Sequence, residues 1–190
     1  MCDKSPVLFR TTAAMTDSAS PTPAPERRAR PAPARMAPLA RLPVFFALAG
    51  RRVVLAGGSE AAAWKAELLS AAGARVEVFA VDPCEDLLAL AAAPPDGALI
   101  LIARDWTLED LAGAALAIGA FEDDADCARF ADAAHTAGVP VNVVDKPAFC
   151  DFAFGAIVNR SPLVVGISTD GAAPVFGQAV RAKIEAVIPQ

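Results

Sequence analysis

The sequence predicts an α/β protein built on a doubly wound parallel sheet and followed by a small α+β region. Three observations predict it. From residue 52 to residue 144, apolar β-branched runs alternate with helix-forming segments, the order that crossover helices on a parallel sheet impose. The first run, Arg52–Ala56, meets the glycine pair Gly57-Gly58 and then a helix-forming stretch with few breakers, as in a nucleotide-binding strand–helix turn. Ala98–Ala103 is apolar throughout, the composition of a strand buried on both faces. Together these make the predicted fold Rossmann-like.

Each element follows from its residues. Arg52–Ala56 is the first strand and Glu60–Ala72 its helix, closed by Gly73. Arg75–Ala80 is the second strand, followed by a helical stretch from Cys84 to about Ala92. Pro94-Pro95-Asp96-Gly97 is a turn leading into the third strand, Ala98–Ala103. Thr107–Leu111 is a short helix, Ala114–Ala120 the fourth strand, Asp123–Ala137 its helix and Pro140–Val144 the fifth strand. The pattern then changes. Ala156–Asn159 and Leu163–Ser168 read as two strands in hairpin-like succession, and Pro174–Val187 as a helix. Val175, Phe176, Ala179, Val180, Ile184 and Val187 share one side of that helix. A hairpin and one helix make a poor core alone, so this region is expected to pack on the first domain or to pair with another subunit. The expected organisation is a Pro/Ala/Arg-rich disordered tail over 1–38, a nucleotide-binding domain over 39–150 and a dimerisation and substrate-site region over 151–190.

Composition narrows the function. Hydrophobic residues are 55% of the 190 and charged residues 21%, with a net charge of −5. Residues 1–40 hold six Lys/Arg against three Asp/Glu, whereas the remaining 150 hold eleven against nineteen. An acidic body argues against nucleic acid as the main partner. No apolar run reaches the roughly 18–20 residues that span a bilayer, so no membrane partner is expected. The arginines of the tail imitate a transit peptide, but its prolines and Asp3, Asp17 and Glu26 count against one. Cys2, Cys84, Cys127 and Cys150 form no C-x-x-C pair and read as reduced thiols of a cytoplasmic protein without structural zinc. His135, the only histidine, falls near a helix C-terminus, where it suits dipole compensation better than catalysis.

The candidate cofactor residues cluster at the first turn. Gly57 and Ala62 fill the first and last positions of G-x-G-x-x-[G/A], and Ser59 stands where the second glycine is usual. Gly57, Gly58, Ser59, Glu60 and Ala61 line the start of the phosphate-binding helix, and Val81 and Asp82 the end of the second strand. Asp82 suits a ribose hydroxyl and favours NAD over NADP. It equally suits the helix start beside Pro83, and Glu77 is its rival within the strand. Glu122, Asp123, Asp124 and Asp126 look like a metal cluster but sit at a helix start, where acids stabilise the dipole, so no protein metal site is expected.

Several ordered segments carry a family resemblance: Leu42-Pro43-Val44-Phe45, Gly57-Gly58 leading to Lys65, Ala72-Gly73-Ala74, Asn142-Val143-Val144-Asp145-Lys146-Pro147, Asp151-Phe152, Arg160-Ser161-Pro162-Leu163 and Ile167-Ser168-Thr169-Asp170-Gly171-Ala172-Ala173-Pro174. From Leu42 onward the sequence resembles the dehydrogenase/ferrochelatase region of the siroheme synthases. The resemblance implies a homodimer that uses NAD to oxidise precorrin-2 to sirohydrochlorin and then inserts ferrous iron to give siroheme. It implies Asp145 as the catalytic residue, a general base for both steps, with Asn142, Ser168 and Thr169 at the tetrapyrrole. Before Pro147, Asp145 also suits a plain turn. Departures are Ser59 for a common glycine, Trp64 for the Arg that often precedes the helical Lys, and Gly155 for a usual proline. The sequence is expected to stop short of the family's helical segment, which leaves a second reading: a non-catalytic NAD- or tetrapyrrole-binding fragment. A generic Rossmann oxidoreductase ranks third.

Overall fold

The computed structural model describes residues 36–188. Residues 1–35, and with them the expected disorder of the tail, lie outside the described residues. From Leu39 onward the chain packs as one unit.

The first nine elements alternate as β1 (Arg52–Ala56), α1 (Glu60–Ala71), β2 (Arg75–Phe79), α2 (Glu85–Ala92), β3 (Ala98–Ile102), α3 (Leu108–Leu111), β4 (Leu116–Gly119), α4 (Asp124–Thr136) and β5 (Val141–Val143). The strands form one parallel sheet in the order β3-β2-β1-β4-β5. The order reverses between β1 and β4, so the chain winds outward in both directions from the centre. Helices cover both faces. Val53 and Leu55 of β1 pack with Val76, Val78 and Ile118 beneath Leu69 of α1 and Leu87 of α2. Val54 and Ala56 point the other way, with Ala117, Val141 and Val143, onto Leu111 of α3 and Phe130 of α4. This is the two-residue alternation of a strand, with both sides apolar because both are covered.

One expectation about the strands is corrected. β3 is apolar but is an edge strand, and Ile100 is 37% exposed. Composition reports what a strand tolerates; which neighbour it lacks is decided by the strand order. Glu77, the rival ribose ligand, is buried in β2 and ion-paired to Arg52 at 2.7 Å and Arg75 at 3.0 Å. It braces the N-terminal ends of β1 and β2 and does not reach the C-terminal edge of the sheet.

After β5 come a short 3-10 turn (Pro147–Phe149), β6 (Ala156–Arg160), β7 (Leu163–Ile167) and α5 (Pro174–Val187). β6 and β7 pair antiparallel as a separate two-stranded sheet. The apolar side expected on α5 is not fully covered: Val175, Phe176 and Val187 are 82%, 64% and 81% exposed.

Candidate functional site

The C-terminal ends of β1, β2, β4 and β5 meet at a cleft of about 710 Å³, lined by Gly58, Ser59, Ala61, Asp82, Ala120, Phe121, Glu122, Val144, Asp145 and Lys146. Ligands of open α/β sheets bind at this edge, where the strand order reverses.

The glycine turn makes the cleft possible. Gly57 has φ +125°, and a Cβ there would lie 2.6 Å from the Ala120 carbonyl oxygen. A Cβ on Gly58 would lie 2.3 Å from the Asp82 carbonyl oxygen. The Gly57 N–H donates to Phe79 O and the Cys84 N–H donates to Gly58 O, so the turn is stitched to the end of β2. Ser59 is the N-cap of α1, its hydroxyl accepting from the Ala62 N–H at 3.3 Å. Among the described residues the Glu60 and Ala61 N–H groups have no acceptor. Free N–H groups at the positive end of a 12-residue helix form a natural seat for a diphosphate. The Glu60 side chain faces a separate groove between α1 and α2, which it shares with Trp64, Glu67 and Asp86.

Asp82 follows β2 as an exposed residue at the cleft. Val81 is exposed beside it but does not line the cleft. These residues fit a dinucleotide: a turn that only glycines allow, unpaired helix N–H groups, and an acid one strand away. Across the switch point, Asp145 follows β5 with φ +57°, a left-handed conformation uncommon outside glycine but tolerated by Asp. Such outliers cluster at functional sites. The turn is closed by the Lys146 N–H donating to Val143 O at 3.2 Å. The Lys146 ammonium is paired with Asp124, which raises its pKa from the usual lysine value.

The cleft thus brings together Gly58, Ser59, Ala61, Asp82 and Asp145. It does not gather the three expected tetrapyrrole contacts. The Asn142 amide is buried and donates to Phe152 O at 2.8 Å, tying β5 to the segment after the 3-10 turn. Ser168 and Thr169 form the turn before α5; the Ser168 hydroxyl accepts from the Asp170 N–H, and Asp170 pairs with Arg41. Ala120, Phe121, Glu122, Val144 and Lys146 were not expected at the cleft. Their signal in the sequence is position alone: each lies within three residues of the end of a strand, β4 or β5, whose C-terminal end must face the same edge.

Two suspected sites have structural roles. Asp123 caps α4, accepting from the Ala125 N–H at 2.8 Å, and no group of three or more metal-ligating side chains is assembled among the described residues. His135, in the last turn of α4, bonds Asp151 through Nε2 at 3.1 Å.

Residues 44–156 match the protein family described as "Putative NAD(P)-binding". Over 148 residues the chain is 48% identical to the siroheme synthase of Ectopseudomonas mendocina and 47% identical to that of Azotobacter vinelandii. In each case the match covers 78% of this chain and 31% of the relative, so the chain spans about a third of the length of the curated relatives it matches. Among solved structures, SirC, a precorrin-2 dehydrogenase, matches with a TM-score of 0.62 at 22% identity, covering 78% of this chain and 72% of that one; the likeness establishes the shared fold. The cofactor class carried by the matched family is NAD(P). The chain belongs to this NAD(P)-binding family, as a homologue of the siroheme synthases.

Proposed function

We propose that this chain binds NAD+ and oxidises precorrin-2 to sirohydrochlorin. The observation that carries the reading is Asp145, held in a left-handed turn in the same cleft as the glycine turn and the free N–H groups of α1. The turn and helix start hold the diphosphate, and Asp82 holds the adenosine ribose and disfavours a 2′-phosphate there. When bound, NAD+ supplies the hydride acceptor. The substrate loses one hydride and one proton, and the Asp145 carboxylate takes the proton as general base. The same carboxylate serves a second step in which ferrous iron, as substrate, enters sirohydrochlorin and displaces two pyrrole N–H protons. Similarity to siroheme synthases and the precorrin-2 dehydrogenase fold support the first step; the second rests on Asp145 alone. The working protein is a cytoplasmic homodimer: the uncovered side of α5 supports the pairing, and similarity to bacterial siroheme synthases supports the compartment.

The test is direct. The purified chain, given precorrin-2 and NAD+, should produce NADH and sirohydrochlorin in equal amounts. Asp145→Asn should reduce turnover by on the order of 100-fold or more and leave NADH affinity unchanged. A folded chain that binds NADH and shows no turnover points instead to a non-catalytic binding module. Loss of NADH binding in Asp145→Asn contradicts the role given to Asp145.

A further inference from the structure

The glycine turn divides the cleft in two. β1 lies between β2 and β4 in the sheet, and the free N–H groups of Glu60 and Ala61 follow directly on the turn after β1. Asp82 lines the β2 side; Phe121, Val144 and Asp145 line the side of β4 and β5. A dinucleotide with its diphosphate on those N–H groups and its adenosine ribose at Asp82 extends its other half toward β4 and β5. That half ends in nicotinamide, a flat ring that needs a flat wall.

Phe121 is the one aromatic residue lining the cleft among the described residues. It stands two residues beyond β4. Its neighbour Ala120 presents the carbonyl that crowds Gly57, so this segment lies directly against the glycine turn. The Phe121 ring is held from behind. It meets Phe130 of α4 edge-on, with centroids 5.4 Å apart and planes at 61°, and Phe130 meets Trp106 at 4.9 Å. Gly119 makes the room for this packing: a Cβ there would lie 2.8 Å from Phe121 Cε2 and 3.0 Å from Phe130 Cδ1. The Phe121 carbonyl accepts from the Cys127 thiol at 3.7 Å. Phe130 is fully buried, whereas Phe121 is only partly so. A ring already fixed by core rings and bordering a cleft offers stacking area without the cost of ordering a mobile side chain. Its face also attracts the positive charge of an oxidised nicotinamide.

We propose that Phe121 is a nicotinamide-positioning residue: its ring is the wall on which the nicotinamide of NAD+ stacks, in the half of the cleft that also holds Asp145. This rests on the reading of the cleft as an NAD+ site.

The experiment measures by calorimetry the affinities of the full chain for NADH and for ADP-ribose, which lacks the nicotinamide. It compares the wild type with Phe121→Leu and Phe121→Tyr, with a thermal melt of each as the control for folding. The wild type should bind NADH more tightly than ADP-ribose. Phe121→Leu keeps an apolar side chain against Phe130 but offers no ring face. It should weaken NADH roughly 3- to 10-fold, the worth of one stacked aromatic pair, and leave ADP-ribose unchanged. Phe121→Tyr keeps the ring and should keep the preference for NADH. A nuclear Overhauser measurement on the phenylalanine-labelled wild type with NADH needs no variant: nicotinamide protons should contact the Phe121 ring. Equal losses of NADH and ADP-ribose in Phe121→Leu overturn the proposal, because a merely structural residue would weaken both. Wild-type NADH affinity in Phe121→Leu, a preference lost in Phe121→Tyr, or no nicotinamide contact to Phe121 overturns it as well. If the wild type binds both ligands equally, the wall fails and the cofactor reading stands; if it binds neither, the cofactor reading fails and the wall with it.

Discussion

Single residues at the cleft show how backbone and burial, more than side-chain identity, set its properties. Lys65 has a consequence for stability apart from any reaction. Its folded pKa is about 8 against an ordinary 10.5. Below pH 8 both folded and unfolded chains carry the proton, and the buried ammonium costs stability. Between about 8 and 10.5 the folded chain releases the proton while the unfolded chain keeps it, so stability rises with pH. The difference in urea midpoint between wild type and Lys65→Met should therefore shift toward the wild type across that window. A difference that stays constant from pH 7 to pH 10 contradicts the assigned burial. None of this was legible in the sequence, where Lys65 stood only as part of a motif, because its burial depends on Phe154, 89 positions away. The glycine turn was legible as a turn. Its physical reason was not: Gly57 and Gly58 are required because carbonyls of Ala120 and Asp82 crowd them. Ser59, which stands where a second glycine is usual, also caps α1; an alanine there would forgo about 1 kcal/mol, a glycine only a few tenths.

At the scale of elements, the two edges of the sheet are treated differently. The outer edge of β5 is closed by the segment after the 3-10 turn. The Val141 N–H donates to Asp151 Oδ2 and the Asp151 N–H donates to Val141 O, each at 2.9 Å. Two residues on, the Val143 N–H donates to Cys150 Sγ and the thiol donates to Val143 O, each at 3.2 Å. The Asp151 N–H and the Asp151 and Cys150 side chains thus replace the missing neighbour strand and deny the edge to another chain. Asp151→Ala should cost about 1–3 kcal/mol, the penalty for stranding a buried N–H, read from the urea midpoint. Asp151→Asn, which keeps an acceptor oxygen, should lose less; equal losses would mean that the charge toward His135 matters more than the edge. The helices and strands themselves were legible to within a residue or two, since hydrophobic period and glycine stops specify them locally. The 3-10 turn and the edge position of β3 were not, because both depend on what lies alongside in space.

The whole molecule exposes large apolar side chains that the described residues do not cover. A two-stranded sheet with one helix is marginal by itself, and here β6, β7 and α5 present Leu163, Val164, Val175, Phe176 and Val187 to solvent. Leu42, Val44 and Phe45, ahead of β1, are exposed as well. Large apolar side chains gathered in one exposed patch mark interaction surfaces, and on α5 Val175 and Phe176 are neighbours in sequence. The helical period of α5 explains why the sequence marks these positions as a buried side: Val175, Phe176 and Val187 are patterned for a contact that the described residues do not make. Pairing of two copies through α5 and β7 buries the same patch on each, as a two-fold interface requires. The wild-type chain should therefore run as a dimer by light scattering across a dilution series. Combining Val175→Asp with Phe176→Asp should give a monomer while leaving NADH binding intact, because the cofactor cleft is built wholly from β1, β2, β4, β5 and α1 of one chain. A wild-type chain that stays monomeric at every concentration, or a double variant that stays dimeric, excludes α5 as the contact. Loss of NADH binding together with the dimer would show instead that the second copy supports the cleft.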